Sequence, residues 1–226
     1  MNKDIYPKYS EPSFWGVLKF EFHSWVGRKF FKASSRFRPS KNPYLIDIGV
    51  GENYTEGWVH VDFYRSRIRK FWKRMPKRRM PEVETDLRFP LNCPSNVADG
   101  VYSGHTLEHL YPNHAYALIS EIFRILKPGC WLRINVPDLT IALDIYYGRL
   151  EKSEIKFGAE AIGNLTQNYL HHSVWDFELL SYALKSQGFI NISQVEFGRS
   201  GTDKWLIKEE EISRHEPLVV EAQKPL

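Results

Sequence analysis

Cysteine is scarce in this chain. Cys93 and Cys130 are the two among 226 residues, too few for a disulfide framework and in no zinc-ribbon spacing, which fits a reducing compartment. Long apolar runs are missing as well: none approaches the roughly 20 residues that span a bilayer. The amino terminus lacks the apolar core and cleavage site of a secretory leader. There is no internal repeat and no low-complexity tract. These absences argue against a secreted scaffold, an integral membrane protein and a repeat array. What is left is a cytoplasmic globular chain, 42% hydrophobic, of a size that one α/β domain occupies. Such a domain buries roughly 70% of its unfolded surface and needs no staple.

Charge is spread unevenly. Residues 1–80 hold 18 Lys/Arg against 7 Asp/Glu, and the remainder holds 13 against 20. A basic front suits an anionic partner, although a solvated face would look the same. Residues 65–79 concentrate nine Lys/Arg around Phe71 and Trp72. That mixture can hold phosphates with aromatic stacking, as nucleic-acid sites do. It can also lie on an anionic membrane, where each cation contributes about 1 kcal/mol.

Residues 1–40 read as an amino-terminal aromatic and basic helical appendage. Phe14, Trp15, Leu18, Phe22, Trp25, Val26 and Phe30 recur at near-helical spacing, with Lys19, Arg28, Lys29 and Lys32 between them. Such a helix can lie on a membrane by its aromatic face or pack on the domain as a lid; packing is the preferred reading. Peripheral contact with an anionic membrane through residues 14–38 and 65–79 stays open, which would place the protein at the inner face.

Residues 41–226 form the domain proper. Short apolar runs predict strands over 44–48, 58–62, 83–86, 100–103 and 131–136, with two more over 190–197 and 218–222. A helix is expected over 114–126, where Leu118, Ile122, Ile125 and Leu126 share one face and Lys127, Pro128 and Gly129 stop it. Further helices are expected over 139–151 and 176–186, and an exposed charged connection over 198–217. Strands alternating with crossovers give an α/β, mostly parallel seven-stranded sheet with helices on both faces.

In such sheets ligands bind beyond the carboxyl ends of the strands. Asp47 precedes a turn in which Gly49 and Gly51 let the backbone bend sharply and approach a ligand. Asp62 ends the second strand, where a carboxylate can accept from a ribose diol. Asp86 and Leu87 end the third, placed to accept from an adenine amino group and to pack on the base. A nicotinamide dinucleotide fits poorly. The third glycine of its fingerprint falls on Tyr54, and the crossover over 50–57 is too short for the helix that pyrophosphate favours.

The runs over 45–51 and 57–62, then 101–110, 121–129 and 132–139, resemble the cofactor motifs of class I S-adenosylmethionine-dependent methyltransferases. The tail 218–225 is similar to a subgroup associated with bacterial surface-polysaccharide biosynthesis. The resemblance spans about residues 44–225. It implies a Rossmann-like sheet with an antiparallel last strand and S-adenosyl-L-methionine as cofactor. Asp47, Gly49 and Gly51 would line the methionine moiety, Asp62 would hold the ribose, and Asp86 and Leu87 would contact adenine. Ser103 or Gly104 would sit near the sulfonium. The implied acceptor is a sugar or lipid-linked glycan precursor. Asn53 and Cys130 stand where glycine is usual in the superfamily.

The segment His105-Thr106-Leu107-Glu108-His109 matches an inverted zinc-protease pattern, but it follows a strand directly and Pro112 leaves little room for the helix that chemistry needs. No metal is therefore expected. An oxygen acceptor needs a base, and histidine suits that role. His105 is the first candidate, with Glu108 and His109 next. Glu108 and His109 could equally cap and pack the following turn. Of the adjacent His171 and His172, at most one is expected to act. Two other functions are consistent with the residues: RNA methylation, and a non-catalytic adaptor binding nucleic acid or membrane through the basic segment.

Overall fold

The computed structural model describes residues 13–30, 43–51, 53–63, 81–151, 155, 157–202, 206–208 and 217–226. The basic segment 65–79 and residues 31–38 of the appendage lie outside the described residues. An amino-terminal helix α1 (Phe14–Phe30) precedes strands β1 (Leu45–Ile48), β2 (Trp58–Asp62), β3 (Val83–Glu84) and β4 (Ala98–Gly104). After a 3-10 turn (Leu107–His109) come α2 (Pro112–Ile125), β5 (Leu126–Pro137), α3 (Leu139–Tyr146), α4 (Gly158–Thr166), α5 (Phe177–Ser186), β6 (Ile190–Gln194) and β7 (Pro217–Gln223).

The strands form one mostly parallel seven-stranded sheet with helices on both faces, in the order β3-β2-β1-β4-β5-β7-β6. β1, β2, β3, β4 and β5 pair in parallel, and β7 runs antiparallel between β5 and β6. Strand side chains alternate between faces. Ile46, Ile48, Val59, Val61, Val101, Leu132, Ile134 and Val220 point to one face, where they form the main core with Leu118, Ile119 and Ile122 of α2 and Leu180 and Leu184 of α5. On the opposite face Leu45, Trp58, Tyr102 and Trp131 make a smaller apolar cluster. The same rows carry Asp47, His60, Asp62, Arg133, Asn135 and Glu221, all buried.

Burial of that many polar groups requires partners. Arg133 and Glu221, both without side-chain exposure, pair across β5 and β7 at 2.6 Å. The guanidinium also donates to the Arg199 carbonyl, and Glu221 accepts from the Gly201 amide. His60 holds the β1–β2 crossover: one ring nitrogen accepts from the Thr55 amide, and the other meets Glu82 at 2.6 Å.

The connection expected to be exposed over 198–217 returns to the sheet in part. Leu206 is buried against Leu45, Trp58 and Tyr102, and Lys208 reaches the Asp47 carboxylate. A second difference is α4, which the sequence presents as irregular; Ala161 and Leu165 pack it on Ala142 of α3. The strands expected over 83–86 and 190–197 are shorter, Val83–Glu84 and Ile190–Gln194, each followed by one last bond, from the Thr85 amide to the Asp62 carbonyl and from the Val195 amide to the Val219 carbonyl. Among the described residues no helix is long and apolar enough to cross a membrane.

α1 docks on the β3 edge by its polar side. Ser24, fully buried, donates to Asp86 at 2.5 Å. Arg88 bridges Glu21 and Asp86, Phe20 stacks on Phe63, and Arg28 lies over the Phe89 ring. At 100° per residue, Phe14, Trp15, Leu18, Phe22 and Trp25 fall in one stripe on the far side, and all five are exposed. The helix is therefore packed, as expected, but with its aromatic face outward.

Candidate active site

The carboxyl ends of β1, β2 and β4 meet at the glycine turn. Gly49 and Gly51 both have positive φ, +76° and +59°. At Gly49 the backbone also rests on Thr106, whose Oγ1 would lie 2.1 Å from an added Cβ. Thr106 donates from that hydroxyl to the carbonyls of Ile48 and Gly104, tying the ends of β1 and β4 together. An added Cβ at Gly51 would meet nothing within 4 Å. The Gly51 amide donates to Asp62 Oδ2 at 2.9 Å, and Asp62 Oδ1 accepts from the Phe63 amide at 2.6 Å. A glycine turn with open space over it, beside a carboxylate at the end of β2, fits a methionine and ribose moiety. We expect Asp62→Ala to weaken cofactor binding by about 1.5–3 kcal/mol, the range for hydrogen bonds to a charged group. Calorimetry checks this, and unchanged affinity would remove Asp62 from the site.

The two other acidic residues have partners within the protein. Burial raises the Asp47 carboxyl above its ordinary range and outweighs the opposing pull of Lys208. That lysine also lies over the rings of Trp58 and Tyr102. Burial works against charged Asp86 too, but hydrogen bonds from Arg88 and Ser24 outweigh it and hold the carboxyl low. Leu87 follows in a turn packed against the core. Ser103 and Gly104 end β4. The Ser103 hydroxyl is buried with no partner among the described residues, and a Cβ at Gly104 would strike the Tyr102 ring. Asn135, opposite Gly104 on β5, is fully buried with both amide atoms unpartnered. Its type is unremarkable in sequence, and only the strand register shows that it belongs here.

Beyond β4 the chain bends through His105, whose φ is +48° and whose amide donates to the Asn135 carbonyl. The His105 Nδ1 lies 3.0 Å from Glu108 Oε1, and Glu108 is 1% exposed. With the buried carboxylate on Nδ1, the ring carries its proton there and presents Nε2 as the acceptor. That Nε2 has no partner among the described residues. Glu108 is fixed in turn, since its carbonyl accepts from the amides of His172 and Ser173. The same backbone bonds bring residues 171–173 beside the 3-10 turn.

His171 and His172 part company, as neighbours in extended chain do. The His172 ring stacks on exposed Tyr111 at 4.3 Å. His171 turns inward, its ring 4.9 Å from that of His109 and 5.8 Å from that of exposed Tyr169. Burial lowers the pKa of both. A small cavity between α3 and α4 opens beside His171, walled by Ile141, Ile145, Leu165 and Asp138. The sequence-expected groups thus fall in two clusters: Gly49, Gly51 and Asp62 at the glycine turn, and His105, Glu108 and His109 beyond β4. Asp86, one residue beyond Thr85 whose amide donates to the Asp62 carbonyl, is covered by Ser24 of α1, and Leu87 packs on the core.

Residues 47–134 match the methyltransferase domain family. An S-adenosylmethionine-dependent methyltransferase from Archaeoglobus fulgidus superposes with a TM-score of 0.50 at 18% identity, over 94% of this chain and 100% of that one. A chain in the complex between a Haloferax volcanii methyltransferase activator and a methyltransferase superposes with a TM-score of 0.51 at 14% identity, over 96% and 100%. No curated protein matches the chain in sequence.

Proposed function

We infer that this chain, whose residues 47–134 match the methyltransferase domain family, is an S-adenosylmethionine-dependent methyltransferase and that its acceptor is a sugar hydroxyl on a lipid-carried glycan precursor at an anionic membrane surface. The observation that carries this reading is the His105–Glu108 pair with exposed aromatic rings, Tyr111 and Tyr169, beside the cluster. A hydroxyl is a weak nucleophile and needs its proton taken. An oriented imidazole can take it, and flat aromatic faces suit the C–H faces of sugar rings. When bound, the cofactor supplies an electrophilic methyl group on a positively charged sulfur. The chain's own residues align the hydroxyl for in-line attack, a proximity effect, and receive its proton at His105 Nε2. Glu108 stabilises the imidazolium that results.

The aromatic stripe of α1 supports the lipid-carried form. Phe14, Trp15, Leu18, Phe22 and Trp25 face away from the domain, with Lys29 on the same arc. An amphipathic aromatic and basic surface of this kind seats in the headgroup region. Half-burying three such rings contributes roughly 2–4 kcal/mol. The full chain carrying Trp15→Ala, Phe22→Ala and Trp25→Ala should therefore bind anionic vesicles about 100-fold more weakly in flotation, with cofactor affinity unchanged. Equal flotation would detach α1 from the membrane. Transfer from labelled cofactor into a fractionated lysate tests the acceptor: label in the glycolipid fraction is expected, and label in RNA would favour the nucleic-acid reading instead.

A further inference from the structure

We propose that Glu108, His109 and His171 form a site for a divalent first-row transition cation. One atom from each, a carboxylate oxygen and two imidazole nitrogens, lies within 4.8 Å of the others. Two of these residues present buried atoms with nothing to bind. Glu108 uses Oε1 on His105, while its Oε2 has no partner among the described residues. The His171 Nδ1 is likewise buried and unpartnered among the described residues. A buried carboxylate oxygen and a buried imidazole nitrogen left bare side by side are costly, and an ion held between them would satisfy both.

The donor set decides the class of ion. Two imidazoles and one carboxylate with open positions suit zinc or another transition dication. Magnesium prefers oxygen ligands alone. Ligands at about 2.1 Å from a tetrahedral ion stand about 3.4 Å apart, so atoms now within 4.8 Å of one another must close by up to about 1.4 Å. His109 is exposed at the end of the 3-10 turn, its ring edge-on to that of His171 at 4.9 Å, and a rotamer change there would bring the groups together. The neighbouring His105 then faces the ion across the shared Glu108 carboxylate. An acceptor oxygen on an open coordination position would lie near the base; this last point alone rests on the acceptor reading above, and the cation site does not.

The test uses the full-length protein stripped with chelator, without cofactor or acceptor, titrated by calorimetry with Zn2+ alone and with Mn2+ alone. One ion per chain is expected. Loss of an outer partner already costs about 10- to 100-fold in affinity, so Glu108→Gln, His109→Ala and His171→Ala should each exceed tenfold. His172→Ala, whose ring stacks on Tyr111, should bind as the parent does. Because His109 is exposed, its variant keeps the fold and isolates the ligand. Absence of binding at millimolar ion, or equal affinity in the parent and all three ligand variants, would overturn the site. A wrong acceptor would leave every one of these readings unchanged.

Discussion

Replacing His105 is expected to lower kcat by roughly 100- to 10,000-fold, the range for loss of a general base, while leaving cofactor affinity intact. The expectation follows from three features together. Glu108 fixes the tautomer by holding Nδ1. Nε2 is left without a partner among the described residues. The residue follows Gly104, the last of β4, and its amide donates to the Asn135 carbonyl. The backbone conformation complicates the choice of variant, because φ is +48° and alanine resists the left-handed region. Asparagine tolerates it. His105→Asn therefore removes the base and keeps the bend, and His105→Ala should match it in kcat with some added instability. Steady-state kinetics with calorimetry of cofactor binding separates the two effects. If His105→Asn retains most of its turnover, the proton leaves by another route.

The largest expected effect on stability lies far from the chemistry. Glu221→Ala takes away the carboxylate that lies 2.6 Å from the Arg133 guanidinium in a pair without side-chain exposure, and leaves a buried charge short of a counter-charge. Breaking one partner of such a pair costs about 3–5 kcal/mol. At 2–4 °C per kcal/mol for a chain of this size, Tm should fall by roughly 6–20 °C. The double variant Arg133→Met/Glu221→Leu should recover part of the loss, because it removes both charges of the buried pair together. Thermal melts of the two variants check this. A fall of less than about 1 kcal/mol in the single variant would mean that water reaches the pair. Glu221 also accepts from Gly201, so the loop around Arg199 should loosen in the single variant.

The parts of the fold that were legible are those where one short-range signal suffices. β1, β2 and β4 are apolar runs bounded by glycine or acid, and α2 shows its apolar face at helical spacing and a Pro-Gly stop. The glycine turn is local too. What escaped depends on distance along the chain. α4 buries only small contacts, Ala161 and Leu165, against α3, so its pattern is faint. Leu206 and Lys208 sit in a charged stretch, and their burial is set by a sheet some 160 residues upstream. The polar face of the sheet was invisible for the same reason: Arg133 and Glu221 each look like a strand's solvent position until β7 is placed beside β5. In the site, Asn135 and His171 gained meaning from register and from the backbone bonds that draw residues 171–173 to Glu108. Asp86 was read as open to a ligand, and the hydroxyl of Ser24 already holds it.

That last contact places α1 and the expected adenine position on one carboxylate. Two binding events that share a group are thermodynamically linked, and the coupling has the same size from either end. If α1 rests on a bilayer as proposed, a surface that draws it toward or away from Asp86 would act as an effector of cofactor affinity. Cofactor loading, by the same factor, would then set the strength of that surface contact. A tenfold coupling amounts to about 1.4 kcal/mol, within the reach of one hydrogen bond to a charged oxygen. Exchange of spent for fresh cofactor would then also time the enzyme's residence on the membrane.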